Sequence, residues 1–317
     1  MVVSSSDSAA PGLGLVLPPV VPPDVLRPAL EIVDTTGFDS VWVTDRTLAG
    51  RPWLDALTLL GAVTAVTSTV RVGTSVLALG RRNPVYTAHA LASAQYLAGG
   101  RLVAGIGLGG LEPAEYRIAG VPMEQRAALT DEYIGLLRRL WTEESVDHAG
   151  PGYRCDGAYV RPRPETPIPI WIGGNSPGAH ARAGRLGDGW LSVFTGPEQF
   201  GTGWDQVREH AADAGRDPAA ITPAAYVFAA IGRTEGEAEA VLGPAVEDLF
   251  GAPLEHIAFA CLYGTPDRWV DTLGRFGAAG ARHVNVLLYS NDLRADVCLV
   301  ADAVLPQLAG KIPVALT

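Results

Sequence analysis

Eight short apolar runs, beginning at Gly12, Ser40, Val70, Leu102, Ile168, Gly189, Ile221 and His283, alternate with stretches of helical spacing along 317 residues. Parallel strands need a crossover between them, and a helix is the usual one, so this alternation points to repeated βα units. Such units either close into a barrel or remain an open sheet. Several helix ends are readable. Asn83-Pro84 supplies a cap and a first helical residue, and Gly99-Gly100 closes the same helix. Leu129, Tyr133, Leu136, Leu137 and Leu140 recur at helical spacing and predict one buried face. Two extensions break the alternation, residues 46–56 and 146–167. The second carries Gly150, Pro151, Gly152, Gly157 and four prolines between Pro162 and Pro169, and reads as a hairpin. No repeat, low-complexity block or linker divides the chain. Residues 12–317 are therefore expected to form one domain behind a loose tail, residues 1–11.

Charge and motif content exclude several function classes. A net charge of −10 argues against nucleic acid or an anionic membrane as the main partner. No apolar stretch reaches the roughly 18 residues that span a bilayer, and "MVVSSSDSAAPG" lacks the basic and apolar regions of a secretory signal. Cys155, Cys261 and Cys298 form neither a CxxC pair nor an even framework, which fits reduced thiols in a cytoplasm. The six histidines are scattered without HxH or HExxH spacing, so each is expected to be structural or on the surface, and no metal is expected. "GIGLGG" is a weak dinucleotide signal, because Pro113 follows closely and no acidic residue ends a next strand about twenty residues on.

In a barrel, the active site lies at the C-terminal ends of the strands. Those positions hold Asp45 and Arg46, Ser75 to Leu79, Gly107 to Glu112, Gly173 to Ser176, Thr195 and Tyr289. One of these stretches, "PIWIGGNSPGAHARAGRLGDGW", is a strand that stops at Gly173-Gly174 where Asn175 and Ser176 can cap a helix. Bare glycines let a ligand approach the backbone, and a helix start favours an anion. An ordinary strand-to-helix loop reads the same way, and the segment alone leaves both open.

The stretches "GFDSVWVTDR", "VRVGTSVLALGRRNP", "GGRLVAGIGLG", "EYRIAGVPMEQRAALTDEYIGLLRRLW" and the glycine-pair segment occur in the order seen in the luciferase-like monooxygenase superfamily. Across roughly residues 12–195 the chain resembles that superfamily, and most of all its actinobacterial deazaflavin branch, which uses coenzyme F420. The composition agrees with an actinobacterial source, since Lys311 is the only lysine among 24 basic residues. The resemblance implies a (β/α)8 TIM barrel with insertions after strand 2 and before strand 5, and a flavin-type ring across its mouth. It implies a cis Ser75–Val76 peptide supporting the ring; read without it, Gly73 and Ser75 suggest a simple bulge. It further implies a cofactor phosphate held by Gly173, Gly174, Asn175 and Ser176, with Thr195 also facing the cofactor. Arg126 stands where some relatives place an arginine on that phosphate, or it pairs with an acid such as Glu132. Arg182 and Arg185 either face an anionic cofactor tail or lie on a solvated helix face. Asp45 matches an acidic residue facing the reaction, and is the expected catalytic group; otherwise it caps its loop or pairs with Arg46. Arg46 replaces the histidine of many relatives, and a permanent cation is no general base. Gly110 stands where the sugar-phosphate dehydrogenases carry a glutamate, and neither Glu112 nor Glu115 is assigned that role.

The resulting expectation is a cytoplasmic, homodimeric F420-dependent oxidoreductase moving a hydride to or from a small organic substrate. An FMN-dependent monooxygenase using oxygen is the alternative, and a non-catalytic flavin-binding protein a second one. A separate flavin or F420 reductase is a possible partner. The 46–56 loop with Trp53, the residues after Leu79 and the 146–167 hairpin are the expected walls of the substrate pocket.

Overall fold

A computed structural model describes residues 10–110 and 112–309. Residues 1–9 of the expected tail and residues 310–317 at the end of the chain lie outside the described residues.

Eight parallel strands close into a ring: β1 Gly12–Val16, β2 Ser40–Val43, β3 Arg71–Thr74, β4 Leu102–Gly107, β5 Ile170–Gly173, β6 Gly189–Val193, β7 Thr222–Ile231 and β8 His283–Leu288. Each pairs with the next, and β8 pairs with β1, Gly12 against His283 and Val16 against Leu287. The fold is a (β/α)8 barrel, and all eight strands start within two residues of the positions expected from the sequence. Successive strand residues face opposite sides. Val41 and Val43 thus pack outward under the helices while Trp42 points into the barrel. Trp42 and Trp171 meet there with ring centres 5.1 Å apart. Gly73 and Gly189 make that possible, since a Cβ on either would collide with one of the two indoles.

The helix caps form as read. Asn83 accepts from Val85 N–H and Tyr86 N–H ahead of Pro84–Leu97, and Gly99 and Gly100 adopt φ of 60° and 90° at its end. The five residues spaced along Arg126–Thr142 are all buried. Residues 146–167 contain the expected hairpin, Val146–Ala149 against Arg154–Ala158. Two short strands were not anticipated, Leu77–Ala78 along the rim and a second after the seventh barrel strand. Cys261–Gly264 pairs with the far end of β7 and closes an excursion that carries the helix Glu235–Phe250.

Inside the barrel His283 contacts Ser40 Oγ at 2.9 Å, and Trp42 Nε1–H donates to the same oxygen at 2.6 Å. Burial, aided by the Arg71 charge, pushes the His283 imidazole down to about 3. An unfolded histidine titrates near 6.5. Between those values the unfolded chain holds a proton that the folded chain does not, so folding stability falls as pH drops through this window. His283 should contribute up to about 1.4 kcal/mol per pH unit there. Urea unfolding at pH 7.5, 6 and 5 should show this slope, and His283→Gln should flatten it. An unchanged slope in the variant would assign the proton uptake to another group.

Candidate active site

The C-terminal strand ends gather the residues expected at the mouth. The Ser75–Val76 bond after β3 is cis, as the resemblance implied. Leu77–Ala78 then pairs with the end of β4, so the chain continues along the rim. Val76 leans toward β4 and β5, where a Cβ on Gly173 would come within 2.7 Å of its side chain. Only glycine fits beside it.

Gly174 adopts φ of 123°, a region that L side chains rarely occupy. Its N–H donates to Leu191 O at 3.0 Å, and its carbonyl accepts from Trp190 Nε1–H at 2.8 Å. The glycine pair is thus pinned to β6. Asn175 is tied there too, its side-chain amide donating to Val193 O while its carbonyl faces Val193 N. Ser176 caps the helix Pro177–Leu186, accepting from Ala179 N–H at 3.2 Å. After β6, Phe194 has a left-handed φ of 57°, held by the rings of Phe250 and Phe228. Thr195 follows, its hydroxyl 2.9 Å from Ser192 Oγ. A cavity of about 250 Å³ brings Asn175 and Thr195 together with His180, Trp190 and Gln206. His180 Nδ1 lies 2.7 Å from Gln206 Oε1, and burial lowers the affinity of this ring for a second proton.

Arg126 does not pair with Glu132. That carboxylate is occupied by His148, Gly152 N–H and Tyr153 N–H, which fasten the 146–167 hairpin to the outer helix Arg126–Thr142. The Arg126 backbone lies against Gly80 on the turn after β3, and the next carbonyl, of Ala127, accepts from Arg182 on the helix that Ser176 caps. Arg126 therefore starts its helix between the ends of β3 and β5. Arg182 is neither solvated nor free for a cofactor tail, because it is buried and paired with Asp131. Arg185, more exposed, reaches the other Asp131 oxygen at 3.3 Å.

Asp45 is held on both oxygens. Arg82 reaches one at 2.7 Å; Ala78 N–H at 3.0 Å and Arg81 at 3.4 Å reach the other. Arg81 also pairs with Glu115, which accepts from Thr47 N–H and Leu48 N–H and so ties down the start of the 46–56 loop. The side chains of Asp45 and Glu115 are each 2% exposed, and that of Arg81 7%. The expected alternative partner of Asp45, Arg46, instead lies over the Trp53 ring at 5.9 Å. The sequence reading missed the pairing of Arg81 and Arg82 with Asp45, and of Glu115 with Arg81. A further wall was also missed: the excursion helix Glu235–Phe250, whose Asp248 pairs with Arg51 of the 46–56 loop at 2.6 Å.

Four buried polar atoms around the mouth have no hydrogen-bond partner among the described residues: Ser75 Oγ, Arg126 Nη1, Arg46 Nε and His180 Nε2. Buried polar groups are seldom left this way without a ligand or water. A ring cofactor with a phosphate fits these groups. Ser75 follows the third strand at the rim, Arg126 is a cation with an unmet donor, and Gly173 and Gly174 carry no side chain ahead of the helix start at Ser176. The described residues contain no group of three or more His, Cys, Asp and Glu side chains placed to hold a metal ion.

Residues 13–259 match the luciferase-like monooxygenase family. An F420-dependent glucose-6-phosphate dehydrogenase of Kineococcus radiotolerans is 36% identical over 210 residues, covering 63% of this chain and 57% of that protein. A phthiodiolone/phenolphthiodiolone dimycocerosates ketoreductase of Mycobacterium tuberculosis is 31% identical over 257 residues, covering 71% and 65%. The chain thus spans less than two thirds of the length of either relative. In three dimensions it resembles the coenzyme F420-dependent tetrahydromethanopterin reductase of Methanopyrus kandleri, with a TM-score of 0.82, 21% identity, and coverage of 95% of this chain and 100% of that one.

Proposed function

This chain belongs to the luciferase-like monooxygenase family, and we propose that it is an F420-dependent oxidoreductase that moves a hydride to or from a small organic substrate. The observation that carries the reading is the buried, unpartnered Arg126 Nη1, on a helix that packs against Gly80 of the turn after β3 and against the helix following the Gly173-Gly174 pair. Bound F420 supplies the hydride chemistry, since carbon at ring position 5 makes the reduced ring a hydride donor that reacts poorly with oxygen. Val76 and Ser75 support the ring. Gly173, Gly174, Asn175, Ser176 and Thr195 receive the phosphate and its continuation. Asp45, the catalytic group the resemblance implied, has a side chain 2% exposed and bound to two arginines, so in this proposal it acts as a positioning residue: it fixes the turn Leu79–Arg81 and, through Arg81 and Glu115, the loop that carries Arg46 and Trp53. Arg46 offers the substrate a fixed positive charge and takes no proton.

FMN is the second reading, because the same glycine pair suits a terminal phosphate; product carrying an atom from labelled oxygen gas would favour it. The experiment that separates the two is a comparison of F420 and FMN binding. A homodimer in the cytoplasm completes the proposal. No helix of the described residues is long and apolar enough to cross a membrane. Light scattering at micromolar concentration should report twice the 33.2 kDa chain mass, and a monomer would remove the dimer.

A further inference from the structure

At the end of the barrel opposite the mouth, the strand starts surround a cavity of about 450 Å³. Arg71, the first residue of β3, lines it, with its guanidinium carbon 5.9 Å from the centre of the Trp171 ring. Pro167, Pro169 and Val103 add flat or apolar wall. The backbone N–H of Arg71 donates to Asp39 O, but among the described residues no carboxylate pairs with its guanidinium. The other charged residues on the wall are committed. Arg101 donates to the carbonyls of Thr67 and Val70. Asp188 accepts from Ile170 N–H at 2.9 Å and pairs with Arg138 at 2.8 Å. His283, deeper in the barrel, stays neutral near pH 7 and adds no charge. Arg71 is thus a cation with no carboxylate partner beside an indole face, and the charge of Arg101, bonded to carbonyls, lies on the same wall.

We propose that this cavity binds a small carboxylate with a flat, apolar body. A guanidinium fork matches the two carboxylate oxygens in one plane. The indole and the prolines offer surface for a ring, and the volume is that of a small-molecule site rather than of a single inorganic ion. The site is separated from the mouth by the indoles of Trp42 and Trp171, tilted 34° to each other, so it stands whether or not the cofactor reading holds.

Calorimetric titration of the full chain with benzoate tests the assignment. Saturable binding of one benzoate per chain is expected, unchanged by saturating F420 or FMN. Arg71→Met should weaken it at least tenfold. Ala220→Trp, at an exposed rim position whose side chain makes no hydrogen bond, should do the same by filling the entrance, and decides the matter if the Arg71 variant does not fold. Benzamide, the uncharged analogue, should bind at least tenfold more weakly. Absence of saturable benzoate binding, affinity unaffected by filling the rim, or displacement by the cofactor would each overturn the proposal. Inorganic phosphate binding as tightly as benzoate would also overturn it, by showing that the apolar wall contributes nothing.

Discussion

Gly174→Asp should weaken F420 binding at least a hundredfold while leaving the barrel folded. The backbone at Gly174 is fixed from both sides, by its N–H on Leu191 and its carbonyl on the Trp190 indole, so it has little freedom to move a new side chain aside. A Cβ there would sit 3.1 Å from Ala179 Cβ in the first turn of the helix Pro177–Leu186. The carboxylate would then stand where the helix start and the bare glycine backbone favour a phosphate, adding bulk and like-charge repulsion at once. A φ of 123° strains any side chain, so Gly174→Ala is the needed control. Alanine carries the strain without the charge and should lose much less affinity. Equal losses in the two variants would remove the electrostatic part of the account. Unchanged affinity in Gly174→Asp, with circular dichroism matching the parent, would reduce the glycine pair to an ordinary strand-to-helix loop.

The second large effect concerns stability. Arg81→Met should destabilise the fold by about 3 kcal/mol, the lower end of what removing one partner from a buried ion pair costs. Arg81 lies between two buried carboxylates. Without it Glu115 keeps only the Thr47 and Leu48 N–H groups, and Asp45 keeps Arg82 and Ala78 N–H. The 46–56 loop should loosen and become a preferred site of limited proteolysis. Neutralising both acids as well, in Arg81→Met with Asp45→Asn and Glu115→Gln, should recover much of the loss, because the uncompensated charge and not the lost contact is the main cost. Denaturant unfolding measures both variants. A loss under about 0.5 kcal/mol in Arg81→Met, the range of ordinary surface substitutions, would mean that water relieves these carboxylates.

The barrel was readable because its signals are local. Strand runs, the Asn83 cap, the Gly99-Gly100 end and the apolar spacing from Leu129 to Leu140 each depend on residues a few positions apart. Cys261–Gly264 escaped because a four-residue run outside the regular βα alternation carries no period. The ion-pair network escaped for a different reason. Asp45, Arg81 and Glu115 are separated by more than thirty residues at each step, and no spacing rule joins them; only barrel closure brings the ends of β2, β3 and β4 side by side. Arg182 was misread on similar grounds, since the exposure of a helix face depends on the neighbouring helix, and Asp131 of Arg126–Thr142 covers it. The glycine pair could be located in the sequence, but its likeness to a plain loop could not be broken there. The structure adds its φ value and its links to β6, and the choice between phosphate site and plain loop rests on the Gly174→Asp titration.

Side-by-side equilibrium titration of the purified protein with oxidised and reduced F420 and with FMN is the most direct test of the proposed cofactor chemistry. F420 continues past its phosphate through a phosphodiester into a lactyl-oligoglutamate tail, whereas FMN ends at the phosphate. Under the proposed placement that continuation would pass the exposed helix start at Ser176, Pro177 and Gly178. F420 should therefore bind at least tenfold more tightly than FMN, a difference of about 1.4 kcal/mol. Tighter binding of FMN would contradict the account and make an oxygen-using flavin enzyme the better reading of this barrel.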